Sequence, residues 1–147
     1  MAIDLSPTLV QLARERLPAD LGAGRIDFCS GDMLDPALGH FDHVLAMDSL
    51  IHYEAADAAR AIGRLGERTR RSMVFTFAPR TPALAAMHAV GRWFPRGDRA
   101  PAIVPVAEQH LSGLLGAEPA LQGWRRQGAQ RVACGFYTSH AMHWGRP

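Results

Sequence analysis

Hydrophobic positions along the first half of the chain follow two alternating spacings. Apolar side chains recur three or four residues apart after Ser6 and again over residues 55–68, which predicts two amphipathic helices. Short continuous apolar runs separate these helices, as expected for strands buried in a parallel sheet. The runs occupy residues 2–4, 25–30, 41–49 and 72–79. The order strand, helix, strand, strand, helix, strand predicts an α/β fold with a mostly parallel sheet.

The pattern changes after Pro79. A helix capped by Thr81 is predicted first, followed by a proline-rich segment at 96–106 and a short helix over 107–115. Two closing strands are then predicted within 124–145, joined by a tight link near Gly135. The second half therefore adds a helical excursion before the last two strands of the sheet.

Length and composition limit the class of protein. A chain of 147 residues with 48% hydrophobic residues is long enough for one domain with its own core. No apolar run approaches the roughly 20 residues of a membrane span, and no secretion signal opens the chain. We expect a cytoplasmic protein, with peripheral contact to a membrane left open.

The two halves of the chain differ in charge. Residues 1–79 carry 8 Arg and 11 acidic residues, whereas residues 80–147 carry 8 Arg and 3 acidic residues. A basic second half suits an anionic substrate, because Arg binds carboxylates and phosphates through paired hydrogen bonds. The charges are spread out and no recognition motif accompanies them, which argues against nucleic acid as the partner.

Cysteine and histidine spacing predicts neither disulfides nor a metal site. Cys29 and Cys134 are the two cysteines, and they form no CxxC motif. Histidines three residues apart occur at 40 and 43 and at 140 and 143, without further ligands nearby in the sequence.

Three acidic residues follow predicted strands. Asp4, Asp32 and Asp48 come at or just after the carboxyl ends of strands, the edge at which open α/β sheets bind ligands. A carboxylate can accept two hydrogen bonds from a ribose diol, and a second one can accept from the amine of adenine, with Met33 against the purine face. The alternative for each residue is a solvated loop position. Three at matching strand ends favour nucleotide binding.

The glycine spacing excludes one kind of nucleotide site. A dinucleotide-binding fold needs a GxGxxG turn after its first strand, and the chain has no such sequence. Gly22 and Gly24 precede a predicted strand instead of following one, so they belong to a connection. A dehydrogenase-like domain is therefore disfavoured.

These motifs carry a resemblance. The segments "AIDLSP", "SGDMLD" and "FDHVLAMDSLIHY" resemble the Rossmann-like S-adenosylmethionine-dependent methyltransferases. The later stretch "VFTFAPRTPALAAMHAVGRWFPRGDRAPAIVP" is similar to the magnesium-protoporphyrin IX O-methyltransferase family of chlorophyll and bacteriochlorophyll biosynthesis. The resemblance covers essentially the whole chain. It implies one partial methyltransferase domain, with 1–79 as its cofactor-side half and 80–147 as its family-specific region.

The resemblance implies S-adenosylmethionine as the cofactor and assigns roles to matching residues. Asp4 would hold the ribose, and Asp32 and Met33 the adenine. Asp48 and Ser49 would lie beneath the methyl donor, and His52 would act at the reacting carboxylate. The family methylates one propionate of magnesium-protoporphyrin IX. Since a propionate is an anion near pH 7, we favour positioning by His52 over base catalysis, with a structural helix cap as the alternative.

Substrate contacts are expected from the family-specific region. The macrocycle is a flat apolar disc with anionic tails, which suits aromatic and Arg side chains. The expected substrate-binding residues are Arg80, Trp93, Arg96 and Arg99. An apolar helical stripe is otherwise typical of a core. The magnesium belongs to the substrate, and a subunit of magnesium chelatase is the partner that the pathway implies.

One departure from the family limits the expected activity. The family's first strand and glycine-rich turn have no counterpart in the sequence, although that strand is central in the usual order 3-2-1-4-5-7-6. We expect the two strands beside the gap to close up or to be left with unpaired backbone groups. Weak cofactor binding and impaired activity are therefore expected. A non-catalytic porphyrin- or protein-binding remnant is the alternative function.

Overall fold

The computed structural model describes residues 1–18, 25–80, 103–134 and 137–147. The chain forms two compact units, Met1–Gly39 and His40–Pro147. Helices and strands alternate in both, and the sheets combine parallel and antiparallel pairs. The predicted α/β class is therefore confirmed.

The first unit contains a two-stranded parallel sheet and one helix. The strands pair from Ala2 with Phe28 to Asp4 with Ser30. The Ser6 hydroxyl accepts a hydrogen bond from the Leu9 N–H at 3.4 Å, so the helix has the predicted N-cap. The elements are β1 (Ala2–Asp4), α1 (Pro7–Glu15) and β2 (Phe28–Ser30), followed by a single 3-10 turn at Pro36–Leu38.

The second unit is built on a four-stranded sheet. Its elements are β3 (Phe41–Ala46), α2 (Ala55–Glu67), β4 (Thr69–Phe77), α3 (Glu108–Ala117), a 3-10 turn at Pro119–Leu121, β5 (Arg125–Cys134) and β6 (Tyr137–Gly145). The strand order is β3-β4-β6-β5. β3 and β4 run parallel, whereas β6 is antiparallel to both of its neighbours. The strands β1 and β3 belong to different sheets.

Apolar side chains of the central strands form the core of the second unit. Phe75 and Phe77 on β4 are each 1% exposed, and Met142 on β6 is fully buried. Helix α2 contacts β4, α3 and the turn at 119–121. A Cβ at Gly66 would lie 2.6 Å from the Leu121 Cδ2, so glycine permits the close approach of α2 to the turn at 119–121.

Several element boundaries differ from those that the pattern predicted. β4 begins at Thr69 instead of residue 72, and β3 ends at Ala46 instead of residue 49. Helix α3 continues through Gly116 to Ala117. The predicted helix after Thr81 and the link at Gly135 lie outside the described residues.

A buried histidine lies opposite the end of β4. His140 on β6 is 5% exposed, pairs with Phe77 in the sheet and stacks on its ring at a centroid distance of 5.1 Å. Burial lowers the pKa of His140 below its ordinary value of 6.5, Glu108 opposes this shift, and Arg131 and Arg126 add to it. The Glu108 Oε2 lies 3.6 Å from the His140 Nδ1.

The lowered pKa of His140 makes stability depend on pH. Above pH 6.5 the ring is neutral in the folded and unfolded chains, and its contribution to stability is fully present. As the pH falls below this value, the unfolded chain binds the proton before the folded chain does. The free energy of unfolding therefore decreases until the pH reaches the lower pKa of the folded chain. Between about pH 7.5 and pH 5.5, we expect the free energy of unfolding, measured by urea denaturation, to decrease less in His140→Phe than in the wild type. Equal losses in both proteins would contradict this assignment.

Candidate functional site

The predicted nucleoside residues of the first unit lie at one edge of its sheet. Asp4 ends β1, and Asp32 follows β2 by two residues. The two strand ends are tied together, because the Gly31 N–H donates to the Asp4 carbonyl oxygen at 3.0 Å. Gly31 has φ 155°, a backbone conformation that other residues rarely adopt. The parallel register thus brings Asp4 and Asp32 to the same end of neighbouring strands.

Both carboxylates also organise the local backbone. The Asp4 Oδ1 accepts from the Ser6 N–H at 2.7 Å, and the Asp32 Oδ1 accepts from the Leu34 N–H at 2.8 Å. Both residues are exposed, and Met33 between strand and turn is half-buried. A carboxylate has about four acceptor positions, so one capping bond leaves capacity for the hydroxyls of a ribose. The acceptor oxygens at this edge fit a nucleoside whose hydroxyl and amino groups donate hydrogen bonds.

The connection after β3 in the second unit has an unusual backbone. Asp48 has φ 51°, the left-handed region that residues other than glycine seldom occupy. Its N–H donates to the Thr76 Oγ1 at 2.7 Å, and the Thr76 hydroxyl donates to the Asp48 Oδ1 at 3.1 Å. Asp48 is exposed, whereas Thr76 is 8% exposed. The end of β3 is therefore fixed to β4 by a side chain that the apolar pattern had assigned to a buried strand.

Ser49 and His52 follow Asp48 in the same connection. Ser49 is exposed, and its hydroxyl donates to the Met47 carbonyl oxygen at 3.1 Å. Leu50 is 2% exposed and anchors a turn in which the Tyr53 N–H donates to the Leu50 carbonyl oxygen. His52 is exposed within this turn.

The turn that carries His52 leads into helix α2. The N-cap residue of this helix is Glu54, whose side chain forms no capping hydrogen bond. The turn is also tied to a later segment, because the Val104 N–H donates to the Ile51 carbonyl oxygen at 2.8 Å. This bond holds the backbone next to His52.

Of the predicted substrate-binding residues, Arg80 is described. It is exposed and follows β4, and its N–H donates to the Val106 carbonyl oxygen at 2.9 Å. The Val106 N–H in turn donates to the Ala78 carbonyl oxygen at 2.8 Å, which forms a short parallel bridge. The backbone of Arg80 is thus held in place by the segment at Val106. Trp93, Arg96 and Arg99 lie outside the described residues.

Sequence reasoning missed Thr76. The signal was present, because Thr76 is the only polar residue in the segment from Met73 to Ala78. Its partner Asp48 lies 28 positions away, so the contact depends on the pairing of β3 with β4, which spacing along the chain does not reveal.

Metal ligation and membrane crossing can each be considered for the described residues. The parts of the chain that the structure describes contain no group of three or more His, Cys, Asp or Glu side chains arranged to hold a metal ion. In the same parts, no helix has the length and apolar character needed to cross a membrane.

Comparison with known proteins gives a family match and relatives of known name. The family described as "Magnesium-protoporphyrin IX methyltransferase C-terminus" matches residues 46–146. The chain is 43% identical over 144 residues to the magnesium-protoporphyrin O-methyltransferase of Rhodobacter capsulatus, covering 98% of this chain and 61% of that protein. It is 26% identical over 113 residues to the enzyme of the same name from Synechocystis sp., covering 77% of this chain and 49% of the relative. The chain therefore spans about half to three fifths of these relatives.

A solved structure has a similar fold. It is magnesium protoporphyrin IX methyltransferase (ChlM) from Synechocystis PCC 6803 with bound SAH. The TM-score is 0.78 at 25% sequence identity, over 99% of this chain and 63% of that structure. The similarity includes both units of the chain.

Proposed function

Because this chain belongs to the magnesium-protoporphyrin IX methyltransferase family, we propose that it transfers a methyl group from S-adenosylmethionine to a propionate carboxylate of magnesium-protoporphyrin IX. The product is the monomethyl ester formed in chlorophyll and bacteriochlorophyll biosynthesis. The family match over residues 46–146 carries this proposal, since it includes the "MDSLIHY" segment with Asp48, Ser49 and His52.

The first unit would take the nucleoside part of the cofactor. Asp4 accepts hydrogen bonds from the ribose hydroxyls, Asp32 accepts from the adenine amine, and Met33 lies against the purine. The support is the common edge on which the exposed side chains of Asp4 and Asp32 lie and the acceptor capacity that remains beside their capping bonds.

The second unit would position the carboxylate. Bound S-adenosylmethionine supplies an electrophilic methyl group, and a propionate is already ionised near neutral pH, so alignment matters more than base strength. His52 donates a hydrogen bond to one carboxylate oxygen and leaves the other in line for reaction. Asp48 and Ser49 contact the methyl donor. Support comes from the fixed backbone on both sides of the turn that carries His52.

The basic second half would bind the macrocycle. Arg80 leaves β4 into solvent and is suited to a carboxylate tail. The sequence places Trp93, Arg96 and Arg99 in the segment that resembles the family most specifically, with Trp93 for the ring and the two Arg for propionates. The substrate brings its own magnesium, so the protein needs no metal ligands.

An assay of ester formation tests the proposal. The chain is incubated with magnesium-protoporphyrin IX and S-adenosylmethionine, and the porphyrin is analysed by chromatography and mass spectrometry. We expect the monomethyl ester when both compounds are present and none when either is omitted. The cofactor is supplied in large excess so that its binding does not limit the reaction. A folded chain that yields no ester above a protein-free control would contradict the proposal.

The Asp4→Asn variant tests the cofactor part separately. Asparagine keeps an oxygen that accepts from the Ser6 N–H, so the local fold is retained, but the charge that strengthens hydrogen bonds to hydroxyls is lost. We expect calorimetry to show an increase of about tenfold in the Kd for S-adenosylmethionine. The matched control is Asp27→Asn in the same unit, where an exposed ion pair with Arg25 is removed and the Kd should not change. Equal effects of both variants would exclude the ribose role.

The second candidate function is a non-catalytic porphyrin- or protein-binding remnant of such an enzyme. The support is the basic second half, since residues 80–147 carry 8 Arg and 3 acidic residues and suit the anionic tails of a porphyrin without any cofactor. Absorbance titration with magnesium-protoporphyrin IX, with and without S-adenosylmethionine, separates the two. Porphyrin binding that is indifferent to cofactor and yields no ester would support the remnant.

The proposed function also brings a partner and a location. We propose a subunit of magnesium chelatase as the protein that delivers the substrate, and peripheral association with the photosynthetic membrane. The support is the substrate itself, a largely apolar pigment that is poorly suited to free diffusion in water. Co-purification with chelatase subunits and flotation with lipid vesicles test these two points.

A further inference from the structure

Thr76 places a polar hydroxyl in the apolar part of β4. Thr76 lies among the apolar residues Met73–Ala78 and is 8% exposed. A buried hydroxyl without partners lowers stability, so its hydrogen bonds indicate its task. Both of the bonds it forms, one as acceptor and one as donor, go to Asp48.

Asp48 needs such a partner because of its backbone conformation. A φ of 51° is unfavourable for most residues, and Asp is among those that tolerate it best. Residues in this region persist where neighbouring structure holds them, and they concentrate at functional sites. The Thr76 hydroxyl holds Asp48 at two points, the backbone N–H and the Oδ1 of the side chain.

We propose that Thr76 is a positioning residue that locks Asp48 in the left-handed conformation and thereby directs the chain from β3 towards Ser49 and His52. The inference rests on the proposed function of His52. Packing alone does not require a hydroxyl here, because valine has nearly the same shape and suits a buried strand. The second support of the turn, from Val104 to Ile51, lies beyond the locked residue, so Thr76 fixes the first half of the connection.

Matched variants test the lock without any activity measurement. Thr76→Val removes the hydroxyl at nearly constant shape, and Thr76→Ser keeps it. We expect hydrogen exchange of the Asp48 amide to become about tenfold faster in Thr76→Val and to change by no more than about twofold in Thr76→Ser. Exchange at Phe75, within β4, should stay unchanged. An unaltered Asp48 amide in Thr76→Val would overturn the lock.

A double variant tests the strain. Glycine adopts positive φ without cost, so Asp48→Gly should need no lock. We expect Thr76→Val to lower the midpoint of urea denaturation, and to lower it much less in the Asp48→Gly background. Equal shifts in both backgrounds would show that the contribution of the Thr76 hydroxyl is independent of the strained backbone at Asp48, and would overturn the proposal.

The functional part is tested by steady-state kinetics. We expect Thr76→Val to lower kcat for ester formation about tenfold with KM for the porphyrin nearly unchanged, and Thr76→Ser to restore it. A changed Asp48 amide with an unchanged kcat would overturn the positioning role. Lack of ester formation in the wild type would instead refute the proposed function, while the exchange and denaturation results would still decide whether the lock exists.

Discussion

We expect His52→Ala to lower the rate of ester formation by about 100-fold or more, with the Kd for S-adenosylmethionine nearly unchanged. His52 is exposed in a turn whose backbone is held at Leu50 and Ile51, so removing its imidazole leaves the local fold intact. The carboxylate then loses the donor that fixes its angle of approach. Single-turnover kinetics at saturating substrates and calorimetry of cofactor binding measure the two quantities independently.

A second variant separates positioning from base catalysis. Glutamine donates a hydrogen bond but does not bind and release a proton near neutral pH. If His52 positions the carboxylate, His52→Gln should retain much more activity than His52→Ala. If it acts as a base, both variants should be equally slow.

The matched control is His110→Ala. His110 is exposed on α3, where alanine is a good helix former, so this variant should have wild-type kinetics. Equal losses of turnover and cofactor affinity in His52→Ala would contradict the assigned role, because they would indicate a general disturbance of the connection.

The spacing of apolar residues predicted the helices and strands of this fold well where one face of the element is buried. Helix α2 was expected over 55–68 and extends over Ala55–Glu67, because its apolar positions face the sheet and α3. β4 was predicted too short. Its first residues include the exposed Arg70 and Arg71. Two exposed charged residues in a row do not show the alternation of apolar and polar positions by which a strand is recognised.

The candidate site was predictable only in part, for a similar reason. Asp4 and Asp32 follow strands of apolar character, and the expectation that they share one sheet edge needs nothing beyond parallel pairing. The bond between Thr76 and Asp48 depends on which residues of β3 and β4 are opposite each other. Register is set by the whole sheet, so no pattern within either strand reveals this contact.

Phe75→Ala should destabilise the second unit by about 3–5 kcal/mol. Phe75 is 1% exposed on β4, and its backbone pairs with Ala46 on one side and with Met142 on the other. Truncation removes the buried ring and leaves a cavity that the paired strands cannot close. A loss of this size is a large part of the roughly 5–15 kcal/mol that holds a typical domain folded.

Urea denaturation followed by tryptophan fluorescence measures this loss in the correct unit, because all tryptophans of the chain lie within His40–Pro147. Phe75→Leu, which keeps most of the apolar volume, should lose less and provides a measurable value if Phe75→Ala fails to fold. Val132→Ala is the matched control, since Val132 is 55% exposed on β5 and its truncation should change stability by less than about 0.5 kcal/mol. A Phe75→Ala protein as stable as this control would mean that the sheet is not the core of the second unit.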